Sequence, residues 1–309
     1  MKSFIETHLG VMLSAGAVLG LFLPQAASLP APTITVMLGF VIFLACLRIQ
    51  THDFGQVAWG QVILFWLGRF VVLPLILFSI GIVVAPDYAT AILLLALLPA
   101  GASSPAFTNI FGGNVPTALF ITLLSSAASV FLIPVLFETV GHMQVAVPSF
   151  KLFMTLLETI IIPAAIGFPL RGKFGLTQFS AQNGRLISVL LMSAIVVIII
   201  AHQRQTILFD PASLITPLIV AIACYAIFMG VALPLFARAP ESRIAVFTSS
   251  TFNNTVVGFS LALIDFPTQV VLTMVMAQLC WCLLPLATQP MIARMRKRLN
   301  TSLFSENPV

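Results

Sequence analysis

Between Leu186 and Ala201 the chain runs sixteen residues without a charge, and stretches of the same kind recur along its 309 residues. Such a run lacks the period-two alternation of a spanning strand, so it reads as a helix that is apolar all round. Only 7% of the residues are charged, against about 25% in a soluble domain. This inventory cannot build a surface for water, and lipid must cover most of the outside. A bilayer-spanning helix needs about 20 mostly apolar residues, which places ten spans at about 9–23, 31–48, 60–84, 88–112, 116–139, 150–170, 183–202, 211–236, 242–264 and 267–292. The connections are short and leave no soluble domain. The first run ends at Leu23 and Pro24 but precedes many others, so it reads as a retained span rather than a cleaved signal.

The net charge of +5 does not mark a nucleic-acid partner, because four of the fourteen basic residues, Arg294, Arg296, Lys297 and Arg298, follow the last span. There they suit anionic lipid. Ten spans put both termini on one side. Lys2, Arg48, Arg171, Lys173, Arg185, Arg238, Arg243 and the four tail residues fall on that side, eleven in all, against Lys151 and Arg204 on the other. The positive-inside rule then makes both termini cytoplasmic and the chain a multi-pass protein of the cell membrane. Cys46, Cys224, Cys280 and Cys282 lie in apolar runs and read as small buried hydrophobes. There is no HExxH, no GxSxG and no acidic cluster within a span. The expectation is a protein that is not an enzyme and has neither metal nor cofactor. Monomer and homodimer are both open.

The two halves, 1–145 and 146–309, echo each other. Pro74 in VLPL answers Pro234 in ALPL, Gly20 and Pro24 answer Gly167 and Pro169, and Pro134 answers Pro285. Five spans per half make any such repeat an inverted one, a common transporter construction.

Spans four and nine hold corresponding places and are the most polar. LLPAGASSPAFTNIFGGN runs from Leu97 to Asn114, and Pro105 with Gly101 predicts a break in mid-span. From Thr248 to Thr255 seven of eight residues are polar. Hydrogen bonding between helices accounts for some Ser, Thr and Asn in membranes. Two such runs in equivalent spans point instead to a midplane site between discontinuous helices. Substrate contacts are expected from Ser104, Thr108, Asn109, Asn253, Asn254 and Thr255. Arg69 lies deep in span three and Glu158 near the middle of span six. Intramembrane charges pair or line a site. The two could form a structural pair, or Arg69 could face the site and Glu158 act as a proton carrier.

At spans four and nine the sequence resembles the bile acid:sodium symporter family. Pro99, Gly101, Ser104, Thr108, Gly113 and Asn114 follow the family's span-four run, and Ser125, Ser126 and Pro134 continue it. Phe252 to Thr255, FNNT, stands where the family has Gly-x-Gln-Asn, with Asn253 at the Gln and Asn254 at the Asn. The resemblance implies an all-α fold of ten transmembrane helices in two inverted five-helix repeats, with spans four and nine broken and crossing. It implies a core domain from spans 3–5 and 8–10 and a panel domain from spans 1, 2, 6 and 7. It implies alternating access for a small or amphipathic organic anion, usually carried with sodium.

The departures concern the ion. Arg69 occupies the place of a neutral sodium ligand, Ser249 that of the family carboxylate, Pro105 that of an Asn and Ala118 that of a Ser. Ser104, Thr122 and Asn253 keep ligand chemistry, with the carbonyls of Ser250 and Phe252 beside them. The reading is a secondary transporter of an organic anion in which Arg69 replaces the ion. A sodium-independent or proton-coupled carrier or exporter is the alternative, and a membrane-embedded enzyme or sensor the remote one. The charge count carries a direct test. In a background without the native cysteines, Ser302→Cys and Gly172→Cys should react with membrane-impermeant thiol reagents only from the cytoplasmic side. Labelling from outside intact cells would overturn the ten-span topology.

Overall fold

The computed structural model describes residues 9–30, 32–47, 57, 59–139, 149–232 and 240–305. Lys2, Arg48, Pro234, Arg238 and the 145/146 repeat boundary lie outside them. The described residues form helices and no strand, and their one pairing of extended backbone is an isolated antiparallel bridge between Ala100 and Asn253. In chain order the helices are α1 Leu9–Phe22, α2 Pro32–Cys46, α3 Trp59–Val84, α4 Ala89–Leu97, α5 Ser104–Ile110, α6 Val115–Thr139, α7 Ser149–Leu170, α8 Leu176–His202, α9 Ile215–Ala232, α10 Pro240–Thr251, α11 Thr255–Asp265 and α12 Thr268–Ser305. Short helical turns at Pro24–Ser28 and Arg204–Phe209 lie in the connections, and those at Pro86–Tyr88 and Pro211–Leu214 lead directly into α4 and α9. Six stretches among the described residues are long and apolar enough to cross a membrane: α3, α6, α7, α8, Pro211–Ala232 and Thr268–Pro285. Val11–Phe22, Pro32–Cys46 and Pro86–Leu97 are shorter apolar helices. The chain is a multi-pass integral membrane protein.

Two helices continue past their expected ends. α8 starts at Leu176 rather than near 183, and α12 runs on to Ser305 rather than stopping near 292. Apolar length marks the part of a helix that lipid covers. α12 stays helical through the basic stretch Arg294–Arg298.

α3 and α7 each contain a single π-helical turn, Gly68–Val72 and Leu157–Ile161. Each turn ends two residues before a proline, Pro74 or Pro163. Proline has no N–H for the preceding turn and crowds its carbonyl, and the wider turn absorbs that defect within an unbroken helix. The first of these turns holds Arg69.

The molecule is apolar outside as well as inside. Phe22, Val83 and Val84 are at least three-quarters exposed, as lipid-facing residues should be. The centre is α4, in which every residue from Ala89 to Leu97 is buried except Ile92. α3 packs on it from one side, α9 and α12 from others, and α5 and α10 pack on α6. A second group forms where α1 and α2 pack on α8 and α2 packs on α7.

The α1–α8 contact depends on small residues. A Cβ on Gly16 would stand 2.8 Å from the Ser193 carbonyl oxygen, and one on Gly20 would stand 2.7 Å from that of Val197. GxxxG spacing of this kind lets helix backbones meet in lipid, where burial alone supplies little drive. Gly20→Val should cost about 1–3 kcal/mol as an overpacking substitution and lower the thermal midpoint in detergent. Gly60→Ala, where nothing lies within 4 Å, should leave the midpoint unchanged or raise it. Equal effects would mean that α1 and α8 are not held by this contact.

Candidate functional site

The site is built where two interrupted helices meet. Pro99 pushes Leu98 into extended backbone (φ −58°, ψ 133°), so α4 stops at Leu97. Pro105 sits in the first turn of α5, where a missing N–H is tolerated. In the partner helix, α10 stops at Thr251, and Asn254 caps α11 by accepting a hydrogen bond from the Val257 N–H at 3.4 Å. The two breaks cross and bond to each other. The Gly101 N–H donates to the Phe252 carbonyl at 2.7 Å, and the Asn254 N–H donates to that of Pro99 at 2.8 Å. Glycine is required at 101, because a Cβ there would stand 2.9 Å from the Phe252 oxygen.

Side chains satisfy the remaining backbone groups. The Ala100 N–H donates to Ser125 Oγ at 3.1 Å, and Ser104 Oγ donates to the Phe252 carbonyl at 2.8 Å. Asn253 Nδ2 donates to the Leu95 carbonyl at 3.2 Å, while its Oδ1 accepts from the Tyr225 hydroxyl at 2.9 Å. Thr108 and Thr248 share a hydroxyl–hydroxyl bond, and Thr255 donates to Gln278. Phe252 stacks on Phe107 with ring centroids 4.2 Å apart and meets Trp281 edge-on.

Arg69 reaches this crossing from α3 and is fully buried. Nη1 donates to the Ala96 carbonyl at 2.9 Å. Nη2 and Nε donate to the Ser250 carbonyl at 3.2 and 3.3 Å, and Nε also reaches Ser250 Oγ at 3.1 Å. The guanidinium carbon lies 3.8 Å from the Phe228 ring centroid.

A small cavity opens beside the crossing. Gly101, Ser103, Asn253, Asn254, Thr255 and Gln278 line one side, and Leu13 of α1 with Met192 and Val196 of α8 line the other. Its volume is about 10 Å³, room for one water molecule at most. The cavity receives the N-terminal end of α11, a partially positive end that favours an anion.

Of the residues expected at the site, Ser104, Thr108, Asn253, Asn254 and Thr255 are buried together around the crossing. Asn109 is exposed at the end of α5 and is not among them. Thr122 is buried on α6 with its hydroxyl turned back to the Ala118 carbonyl, and Ser249 is buried with no partner for its hydroxyl among the described residues. Arg69 and Glu158 do not pair. The guanidinium is spent on backbone and hydroxyl oxygens, whereas Glu158 is exposed in a separate groove of about 660 Å³ shared with Lys151, Thr155 and Ser260. Tyr225, Gln278 and Phe228 belong to the site and were not singled out from the sequence, whereas Ser125 was named there only as part of the family pattern. Two of them carried a signal. Tyr225 is one of two tyrosines in the chain, and Gln278 is the one amide between Val270 and Leu284.

Comparison with known proteins bears on the same elements. Residues 35–209 match the Sodium Bile acid symporter family, a stretch that includes Arg69 and Ser104 but not α10–α12. A Bacillus subtilis protein described as an uncharacterized sodium-dependent transporter is 24% identical over 214 residues, 67% of this chain and 66% of its own length. A probable sodium/metabolite cotransporter of chloroplasts in Oryza sativa subsp. indica is 26% identical over 182 residues, 55% of this chain and 43% of its own. An uncharacterized protein of Pseudomonas aeruginosa is 33% identical over 143 residues, 43% of either chain. The chain thus spans just under two thirds of the first of these relatives and less than half of the other two.

The Tyr225–Asn253 bond is one contact by which α9 holds the crossing, beside the hydrogen bond from Ser250 Oγ to the Phe228 carbonyl. Tyr225→Phe would leave the Asn253 amide oxygen buried without a partner, at a cost of about 1–3 kcal/mol. A lowered thermal midpoint in detergent is the expected result. An unchanged midpoint would mean that Asn253 is held by the Leu95 carbonyl alone.

Proposed function

This chain belongs to the sodium bile acid symporter family, and we propose that it carries a small or amphipathic organic anion across the cell membrane by alternating access. In this reading the ten spans form two inverted repeats, 1–145 and 146–309, with both termini cytoplasmic. α3–α6 and α9–α12 are the core that holds the crossing, and α1, α2, α7 and α8 are the panel. Packing supports the division, since α1 and α2 pack on α8, α2 packs on α7, and the breaks belong wholly to the other group.

One observation carries the reading: the cavity at the crossing is walled partly by polar groups of the breaks and partly by Leu13, Met192 and Val196 of the panel. A site for an organic ligand needs on the order of 300 Å³ or more. A cavity of about 10 Å³ therefore admits such an anion only if the panel wall moves away from the crossing. Backbone bonds tie the two breaks together, so they move as a unit. The residues assigned to the substrate are Asn253, Asn254, Thr255 and Ser104, with the N-terminus of α11 facing the anionic group. Thr108 supports them from behind through Thr248. Glu158, on the panel side, is the residue proposed to exchange a proton if a proton is coupled.

Purified protein in liposomes should accumulate one of two probes, tritiated taurocholate for the amphipathic class or radiolabelled lactate for the small one, with saturable kinetics. Asn254→Leu should elute as a folded, monodisperse protein and lose at least about tenfold in flux. That loss matches the removal of a hydrogen bond to a charged group. Undiminished flux in that variant would remove Asn254 from the site.

A further inference from the structure

The two breaks create a specific electrostatic problem at their other faces. In a continuous helix the Ala96 carbonyl would bond the Ala100 N–H, and the Ser250 carbonyl would bond that of Asn254. Both amides are engaged elsewhere, with Ser125 Oγ and the Pro99 carbonyl. Both of these carbonyls therefore lack their helical donor, each one residue from the C-terminal end of its half-helix, α4 or α10. Each helix end carries roughly half a negative elementary charge, so together they amount to about one. In carriers built on broken helices this is where a co-transported cation binds.

Arg69 already stands there. Its guanidinium spans both ends, bonding Ala96 O with one nitrogen and Ser250 O with the other two. Among the described residues no carboxylate is bonded to it, and its guanidinium carbon lies over the rings of Phe228 and Phe70. Two other oxygens that could serve a sodium ion already accept hydrogen bonds. The Phe252 carbonyl accepts from Gly101 and Ser104, and Asn253 Oδ1 accepts from Tyr225. One fixed positive charge balances about one negative charge, and a sodium ion would add an uncompensated second. Within about 5 Å of the guanidinium, at an effective dielectric near 20, that repulsion weakens binding on the order of a hundredfold.

We propose that Arg69 is a built-in cation: it permanently fills the place of a co-transported ion between the C-terminal ends of α4 and α10, so this carrier runs without sodium. The inference rests on the carrier reading above and departs from the sodium dependence in the names of its relatives. Arginine suits the role because it remains charged at physiological pH, and its planar fork bonds two acceptors at once. A lysine would keep the charge but not the span between the two carbonyls.

The test compares sodium chloride with choline chloride at matched ionic strength. For the unmodified protein, the thermal midpoint in detergent and the liposome flux of taurocholate or lactate should be the same in both. A saturable rise of the midpoint with sodium, or saturable sodium stimulation of flux, would overturn the proposal and leave the carrier reading intact. Absence of flux in both salts would count against the carrier reading, and the midpoint comparison would still decide the role of Arg69. Arg69→Gln should lower the midpoint most and Arg69→Lys less. If Arg69→Gln folds with an unchanged midpoint, the guanidinium is not holding the helix ends and the proposal fails. If that variant does not fold, the sodium comparison on the unmodified protein decides alone.

Discussion

A helix broken inside a membrane leaves backbone groups that no water can reach, and each must find a partner within the protein. Here that constraint is met by crossing one break over another. Gly101 and Asn254 exchange backbone bonds with Phe252 and Pro99. Ser125, Ser104 and Asn253 supply the side-chain partners. Part of the Ser, Thr and Asn in these segments meets this demand. Only the polar groups left facing the cavity are available to a ligand.

The crossing also separates charge. The N-terminal end of α11 opens to the cavity shared with α1 and α8, while the C-terminal ends of α4 and α10 face Arg69. Positive helix ends favour an anion and negative ones a cation. The anion site proposed on one side of the crossing and the filled cation place proposed on the other agree with the direction in which the half-helices run.

Much of this arrangement is legible in the sequence, for physical reasons that differ by residue. The helices are legible because apolar length is read directly by lipid, and the breaks because Pro99, Gly101 and Pro105 oppose a helix in any environment. The depth of Arg69 is legible from its place in an apolar run. Its partners are not, because carbonyls have no sequence signature and Ser250 is 181 positions away. Pairing with Glu158 looked reasonable from charge alone, but helix orientation places Glu158 in a different groove. Tyr225 and Gln278 stand out as single polar residues in apolar runs, but a lone residue does not tell which contact it makes. Asn109 looked like its neighbours because composition does not tell where a polar run leaves the core. The extra length of α8 and α12 was missed because hydropathy measures the membrane rather than the helix.

The central claim is that the crossing moves as one body relative to α1 and α8, opening a cavity too small for any organic ligand as it stands. The direct measurement is a reversible bridge across that cavity. Val196→Cys on α8 and Val256→Cys on α11, two positions that line it together, can be joined by a short bifunctional thiol reagent with a reducible link, in a background without the native cysteines. Flux of taurocholate or lactate should stop when the bridge forms and return when it is reduced. Full flux through protein that is completely bridged would contradict the account.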